Sequence, residues 1–280
     1  MNILVTGGAG YIGSHVCLNL LDAGYNITVI DDLSLGHEKL IPDKVEFIKA
    51  NINDTNTLNK LFQKKSFDAL IHFAGFIQTE ESVKFPEKYF TNNTKNAAIL
   101  FDNCYKNGLK NFIFSSTAAA YGNPDKKLIQ EDDDLNPLTP YGESKIIAET
   151  EIATLADSNF SPTFLRNGTV YGVSPKLRLD IVLNNLVGWA VTTGKVVLYT
   201  DGTPWRPLIH VDDVSNAFLL VLQAPIELIH NQVFHVGFDD ENYQIRDLAD
   251  IVQSVVPDCS IEFSEDHDGD QRTYIADFAK

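Results

Sequence analysis

The chain has 280 residues, 44% of them hydrophobic, which is enough apolar material for one large core or two coupled ones and excludes a disordered chain. Its 38 acidic residues against 22 lysines and arginines leave a formal net charge of −16, so a polyanionic partner such as nucleic acid is not expected. No apolar run reaches the ~18–20 residues that cross a bilayer, so no membrane partner is expected either.

Residues 2–7 (NILVTG) read as a strand at once, without a basic segment leading into an apolar stretch, and a cytoplasmic protein is the expectation. Cys17, Cys104 and Cys259 are far apart, form no C-x-x-C pair and sit in no metal-ligand cluster. They are expected to be reduced and half-buried, and no metal is expected.

In chain order, apolar β-branched runs fall at 3–6, 27–30, 45–48, 69–73, 112–115 and 163–165. Helix-periodic stretches lie between them, for example 12–23, stopped by Gly24, and 89–106, stopped near Gly108. This alternation predicts an α/β fold, a Rossmann-type doubly wound parallel sheet with right-handed crossovers. After residue 166 the rhythm changes. Helices at 181–193, 211–223 and 245–255 mix with short strands at 196–199, 233–236 and 261–263. These are expected to form a smaller α/β substrate-binding lobe over the carboxyl edge of the sheet. The expected division is therefore 1–166 and 167–280, with a soft boundary and a partly interleaved chain.

The first strand runs into GGAGYIG (7–13), with Gly7, Gly10 and Gly13 between a strand and a helix. Gly7 permits the tight turn, Gly10 the approach of a pyrophosphate, and Gly13 close helix–strand packing. The helix N-terminus then offers free N–H groups to the phosphates. The second strand ends in Asp31-Asp32, about 20 residues on, where a carboxylate holds ribose hydroxyls and repels a 2′-phosphate. Asp31, which ends the strand, is the first choice, and NAD is the expected cofactor.

Residues 141–145 read YGESK. Tyr141 and Lys145 are four apart and share a helix face. An ammonium beside a phenol of ordinary pKa about 10 is expected to favour the phenolate, giving a proton acceptor for a sugar hydroxyl. Thr117, at the carboxyl end of the fifth strand, is placed to bridge Tyr141 and the substrate oxygen.

These pieces resemble the extended short-chain dehydrogenase/reductase (NAD-dependent epimerase/dehydratase) family, and within it the C4 epimerases of the UDP-glucose/UDP-galactose type. The matching segments are GGAGYIGSH (7–15), FAG (73–75), ESVKFPEKYFTNN (81–93), FSSTAAAYG (114–122) and PYGESK (140–145). The resemblance implies catalysis by Thr117, Tyr141 and Lys145, and Asn92 in the place of a helix-kinking asparagine. It extends the cofactor site to Tyr11, Ile12, Asp32, Asn51, Ile52, Phe73, Ala74, Gly75 and Ser115. It also implies a nucleotide-diphosphate sugar as ligand, held by Thr169, Arg178, Arg206 and Arg272, with Lys176 a weaker candidate. Arg272 stands in because His267 occupies the usual arginine position, and His210 is read as structural.

The relatives that eliminate water carry an acid–base pair where this chain has Ala118 and Ala119, so transient oxidation with epimerisation is expected. A net dehydrogenase/reductase using the same residues is the alternative. Ile77 replaces a lysine usual near the cofactor. By the same resemblance a homodimer is expected through the 89–106 and 141–155 helices, and a second lobe shortened at its C-terminus.

Overall fold

The computed structural model describes residues 1–125, 128–264 and 272–280. The first half builds β1 (Asn2–Thr6), α1 (Tyr11–Asp22), β2 (Asn26–Asp31), β3 (Glu46–Lys49), α2 (Thr55–Lys64), β4 (Ala69–His72), α3 (Thr79–Lys84) and α4 (Pro86–Phe90). It continues with α5 (Ala97–Lys106), β5 (Asn111–Thr117), β6 (Leu128–Ile129), α6 (Pro140–Ala153) and β7 (Ser161–Asn167). Beyond it come β8 (Thr169–Tyr171), α7 (Val182–Thr193), β9 (Lys195–Leu198), β10 (Trp205–His210), α8 (Val211–Gln223) and α9 (Ile226–Ile229). The chain closes with β11 (Gln232–Val236), β12 (Asn242–Gln244), α10 (Ile245–Val255), β13 (Ser260–Phe263) and β14 (Ile275–Ala276).

Seven strands form one parallel sheet in the order β11-β7-β5-β4-β1-β2-β3. The order reverses at β1, which has β2 on one side and β4 on the other. Strand ends part at such a point and open a crevice at the carboxyl edge. One face is covered by α1 and α8, with Val16, Leu20, Val214 and Phe218 in its core. The other is covered by α2, α5 and α6, with Leu58, Leu100, Ala148 and Ile152. Both faces are dry, which is why strands such as ILVT and ALIH are apolar without alternation. Over the carboxyl edge lie the β8-β10-β12 sheet and the β9-β13 pair, the latter packed with α7 and α10 around Leu186, Val196 and Leu248.

Three sequence expectations need correction. Residues 233–236 belong to β11, which pairs with β7 at the edge of the large sheet and not with the second lobe. Asn231, at φ 52°, turns the chain after α9, and its N–H bonds the Pro162 carbonyl at 2.8 Å, which sets β11 parallel to β7. Helix α8 likewise packs on the large sheet, with Phe218 against Phe73 at 4.7 Å between ring centroids. The 89–106 stretch is not one α-helix: α4 ends at Phe90, residues Thr91–Asn96 form a π-helical turn, and α5 follows.

The centre of the α6 face is aromatic. Phe112 is fully buried and touches Phe101 edge-on at 5.3 Å and Phe160 at 5.9 Å. Truncating it empties a site between the sheet and the Phe101 and Phe160 rings. Phe112→Ala is expected to lower unfolding free energy by about 3–5 kcal/mol, measured by denaturant titration with an unchanged slope.

Candidate active site

The carboxyl ends of β1, β2, β4, β5 and β7 open into one cleft of about 1460 Å³. It begins at the turn after β1. Gly7 has φ +75°, and a Cβ there would lie 2.5 Å from the Ala74 amide nitrogen. A Cβ on Gly13 would sit 2.3 Å from the Gly7 carbonyl, so α1 can lie on the strand only without one. Gly10 differs. Apart from its chain neighbours, the one described atom near an added Cβ is Gly7 O at 3.2 Å, a close contact that the turn must ease, and Gly10 lines the cleft. The first turn of α1 carries no acid to oppose an anion.

Asp31 ends β2 and is 9% exposed. It accepts from the Ala9 N–H at 3.0 Å and the Leu33 N–H at 2.9 Å. Burial raises its pKa, against the pull of those two bonds and of Lys176. Asp32 accepts from the Ser34 N–H and from the Asn51 amide at 2.8 Å. Tyr11, Ile12, Asp32, Asn51, Ile52, Phe73, Ala74, Gly75, Asn92 and Ser115 all line the same cleft. A Gly-lined cradle at a helix N-terminus, then two carboxylates, then an apolar slot at Ile52 matches a dinucleotide in charge and shape.

The reacting end is built by β5 and α6. The Thr139 hydroxyl accepts from the Gly142 N–H at 3.3 Å and Pro140 opens the helix, so α6 starts where Tyr141 faces the cleft. One turn on, Lys145 is 4% exposed, and its Nζ donates to the Ser115 carbonyl at 2.9 Å and lies 4.7 Å from the Phe114 ring centre. Thr117 ends β5, accepts from the Ala119 N–H at 3.1 Å and lies beside Tyr141, whose pKa it lowers. The four positions after β5 close in a short turn, with Ala118 and Ala119 buried.

Burial pulls the Lys145 pKa down from its ordinary value to about 8, against the pull of the Glu149 carboxylate. Burial raises the Tyr141 pKa, and Thr117, Arg178 and Arg272 oppose the rise in that order. The Lys145 ammonium, which donates to the Ser115 carbonyl, stands one helical turn from Tyr141. His72, buried under the site, is held well below its ordinary value by burial and by Lys145.

Thr169, Lys176, Arg178, Arg206 and Arg272 reach the cleft from the far side. Arg178 forms a two-point pair with Asp180 at 3.0 and 2.7 Å. Arg206 is 6% exposed and donates to the Trp205 and Arg272 carbonyls. Lys176 is lowered by burial and supported by Asp31, so it lies toward the Asp31 end. His267 is outside the described residues. His210 caps α8 by accepting from the Asp212 N–H at 3.3 Å, in keeping with a structural part.

Asn92 and Asn93 both lie in the π-helical turn. Asn93 is 3% exposed; it accepts from the Phe76 N–H at 2.8 Å and donates to Phe76 O and the Ser144 hydroxyl. Asn92 lines the cleft and donates to Asn93. Ser144, in turn, donates to the Tyr141 carbonyl at 2.8 Å. Asn167, which ends β7 and bonds Ser115 and Ser116, and Tyr274 also line the cleft unanticipated. The adjacent Asn pair and the Ser inside YGESK were the available signals.

The model of the NAD dependent epimerase/dehydratase family matches residues 3–237. A UDP-glucose 4-epimerase of Bacillus subtilis is 33% identical over 305 aligned positions, spanning 100% of this chain and 90% of that protein. The crystal structure of the Thermotoga maritima UDP-glucose 4-epimerase with UDP-glucose is similar at a TM-score of 0.91 and 30% identity, over 100% of this chain and 90% of that one. The Thermus thermophilus UDP-glucose 4-epimerase in complex with NAD matches at 0.87 and 25% identity, over 99% and 90%.

The cradle geometry separates folding from binding. Gly10→Ala is expected to lower the melting temperature of nucleotide-free protein by no more than about 2–4 °C, or about 1 kcal/mol for easing the Gly7 O contact. NAD affinity measured by calorimetry should fall at least about tenfold, or about 1.4 kcal/mol.

Proposed function

This chain belongs to the NAD dependent epimerase/dehydratase family, and we infer that it is an NAD-dependent C4 epimerase of nucleotide sugars of the UDP-glucose/UDP-galactose type. The observation that carries the reading is the meeting of Thr117, Tyr141 and Lys145 at the rim of a dinucleotide cleft whose neighbouring positions, Ala118 and Ala119, bear only methyl groups. Bound NAD supplies the acceptor, and afterwards the donor, of the electron pair at C4.

The remaining work belongs to the chain. Tyr141 takes the proton from the sugar O4 and returns it after the 4-keto sugar has turned. Thr117 fixes the phenol and the O4 by hydrogen bonds. Lys145 holds the cofactor ribose beside Tyr141. Arg178 and Arg272 favour the phenolate and reduce the rise that burial imposes on Tyr141. Arg178, Arg206 and Arg272 hold the diphosphate while the sugar turns, since a guanidinium grips it with two parallel bonds. Gly7, Gly10, Gly13, Asp31 and Asp32 hold the cofactor's phosphates and ribose. Thr169 meets the sugar. Elimination of water from the sugar finds no acid–base pair at Ala118 and Ala119.

In this reading residues 1–166 carry the cofactor and 167–280 bring the substrate contacts, with α8 and β11 returning to the large sheet. By the family likeness, a homodimer through α5 and α6 belongs to the same reading. Three free, buried cysteines support a reducing, cytoplasmic setting. Among the described residues no helix is long and apolar enough to cross a membrane.

The test is incubation with UDP-galactose. The expected result is UDP-glucose at equilibrium with no net reduced cofactor, whereas stoichiometric reduced cofactor and no epimer would favour the dehydrogenase reading. Tyr141→Phe is expected to lower kcat by about 10²–10⁴ with KM little changed.

A further inference from the structure

Helix α6 carries a third residue on the face of Tyr141 and Lys145. Glu149 lies one turn beyond Lys145 and is 6% exposed. Arg166 of β7, 4% exposed, donates to it twice, Nε to Oε1 at 3.2 Å and Nη2 to Oε2 at 2.7 Å. The Ser116 hydroxyl of β5 donates to the same carboxylate. The other guanidinium nitrogen, Nη1, donates to the Tyr121 hydroxyl at 2.5 Å and the Glu131 carbonyl at 3.0 Å. Tyr121 bonds His235 of β11 at 2.7 Å, and His235 Nδ1 meets the Asp277 carbonyl at 2.9 Å. The pair is thus joined to β5, β7, β11 and the segment that carries Arg272 and Tyr274.

A buried carboxylate–guanidinium pair adds little net stability, because desolvation cancels most of its attraction; apolar residues of like volume often serve as well. What it does supply is a fixed charge and a fixed direction. We propose that Glu149, held by Arg166 and Ser116, is a positioning residue for the reaction: it locks the α6 face against β5 and β7 and sets an anion one turn from the Lys145 ammonium. The inference rests on reading Tyr141 and Lys145 as the reacting pair.

The groups that face Lys145 leave that role to Glu149. From β4 comes His72, kept neutral by burial and by Lys145 itself. From β5 come the Ser115 carbonyl and the Phe114 ring. On its own helix lie Tyr141 and Glu149, and on β7 lies Arg166, paired with Glu149. The carboxylate holds the Lys145 pKa up while burial draws it down to about 8. Without the carboxylate the value drops further, and the ammonium is lost at a lower pH.

The experiment uses the cofactor-bound protein and reads two quantities, the titration of Lys145 by NMR of its labelled side-chain carbons and the pH profile of kcat. Glu149→Gln leaves Arg166 unpaired and can unfold the protein, so the deciding variant is the double change Glu149→Leu with Arg166→Met, which keeps volume without charge. The expected result is a folded protein whose Lys145 titrates about half to one pH unit lower, with the alkaline limb of kcat moved equally and KM for the sugar changed less than about twofold. Glu149→Asp, which keeps the carboxylate, is expected to restore most of the shift. A folded double variant whose Lys145 titrates at the parent's pH overturns the inference. Parent protein that does not epimerise overturns the functional reading instead, and the Lys145 titration distinguishes the two.

Discussion

An ammonium kept almost entirely out of water is the constraint around which this fold is arranged. Lys145 is 4% exposed, and an ion taken so far from solvent needs partners fixed in advance. One is the Ser115 carbonyl, so β5 must end where that oxygen points into the cleft. Another is the Glu149 carboxylate one turn along, so α6 must begin where Tyr141, Lys145 and Glu149 share a face. The Thr139 cap and Pro140 fix that start. On the opposite side the π-helical turn widens the α4–α5 run and lets Asn93 tie the Phe76 backbone to Ser144 of α6. Each device is local, and each would have no evident use without the charge at the centre.

The sheet supplies the rigidity those devices need. Parallel strands put the ends of β1, β2, β4, β5 and β7 on one edge, and the reversal at β1 separates the helices there. Cofactor cradle and reacting residues therefore belong to neighbouring strands of one rigid body. The register that pairs Thr117 with Asn167 brings the ends of β5 and β7 level. Aromatic packing beneath, from Phe101, Phe112, Phe114 and Phe160, keeps that level fixed, because close-packed rings do not slide by fractions of a residue.

The local periods were legible in the sequence. The six strands of the first half, the helices at 12–23, 211–223 and 245–255, and the glycine turn all appear within a residue or two of where they were read. Every residue singled out for cofactor or substrate lines the one cleft, because the carboxyl ends of parallel strands have nowhere else to meet. What the sequence hid was non-local. Nothing in residues 233–236 says which sheet they join, since an apolar strand fits an open edge anywhere; the turn at Asn231 decides it. Asn92 and Asn93 are indistinguishable by type, and only the bonds to Phe76 and Ser144 single out the second.

Net charge proves a poor guide to the ligand, and the structure gives the reason. The chain carries −16, yet Arg178, Arg206 and Arg272 face one end of the cleft and the N-terminus of α1 faces its middle. Asp31 and Asp32 occupy the other end, where a ribose brings hydroxyl donors and no charge. Beyond about 8 Å at physiological ionic strength, exposed charges are largely screened, so the acidic exterior hardly weakens an anion seated among these guanidiniums. It does discourage a long polyanion, which must lie along the surface. The arginines are also restrained: Arg178 is paired with Asp180, and Arg206 is bonded to the Trp205 and Arg272 carbonyls. Side chains already held by the protein lose little freedom when a diphosphate arrives, so their attraction goes into binding instead of ordering.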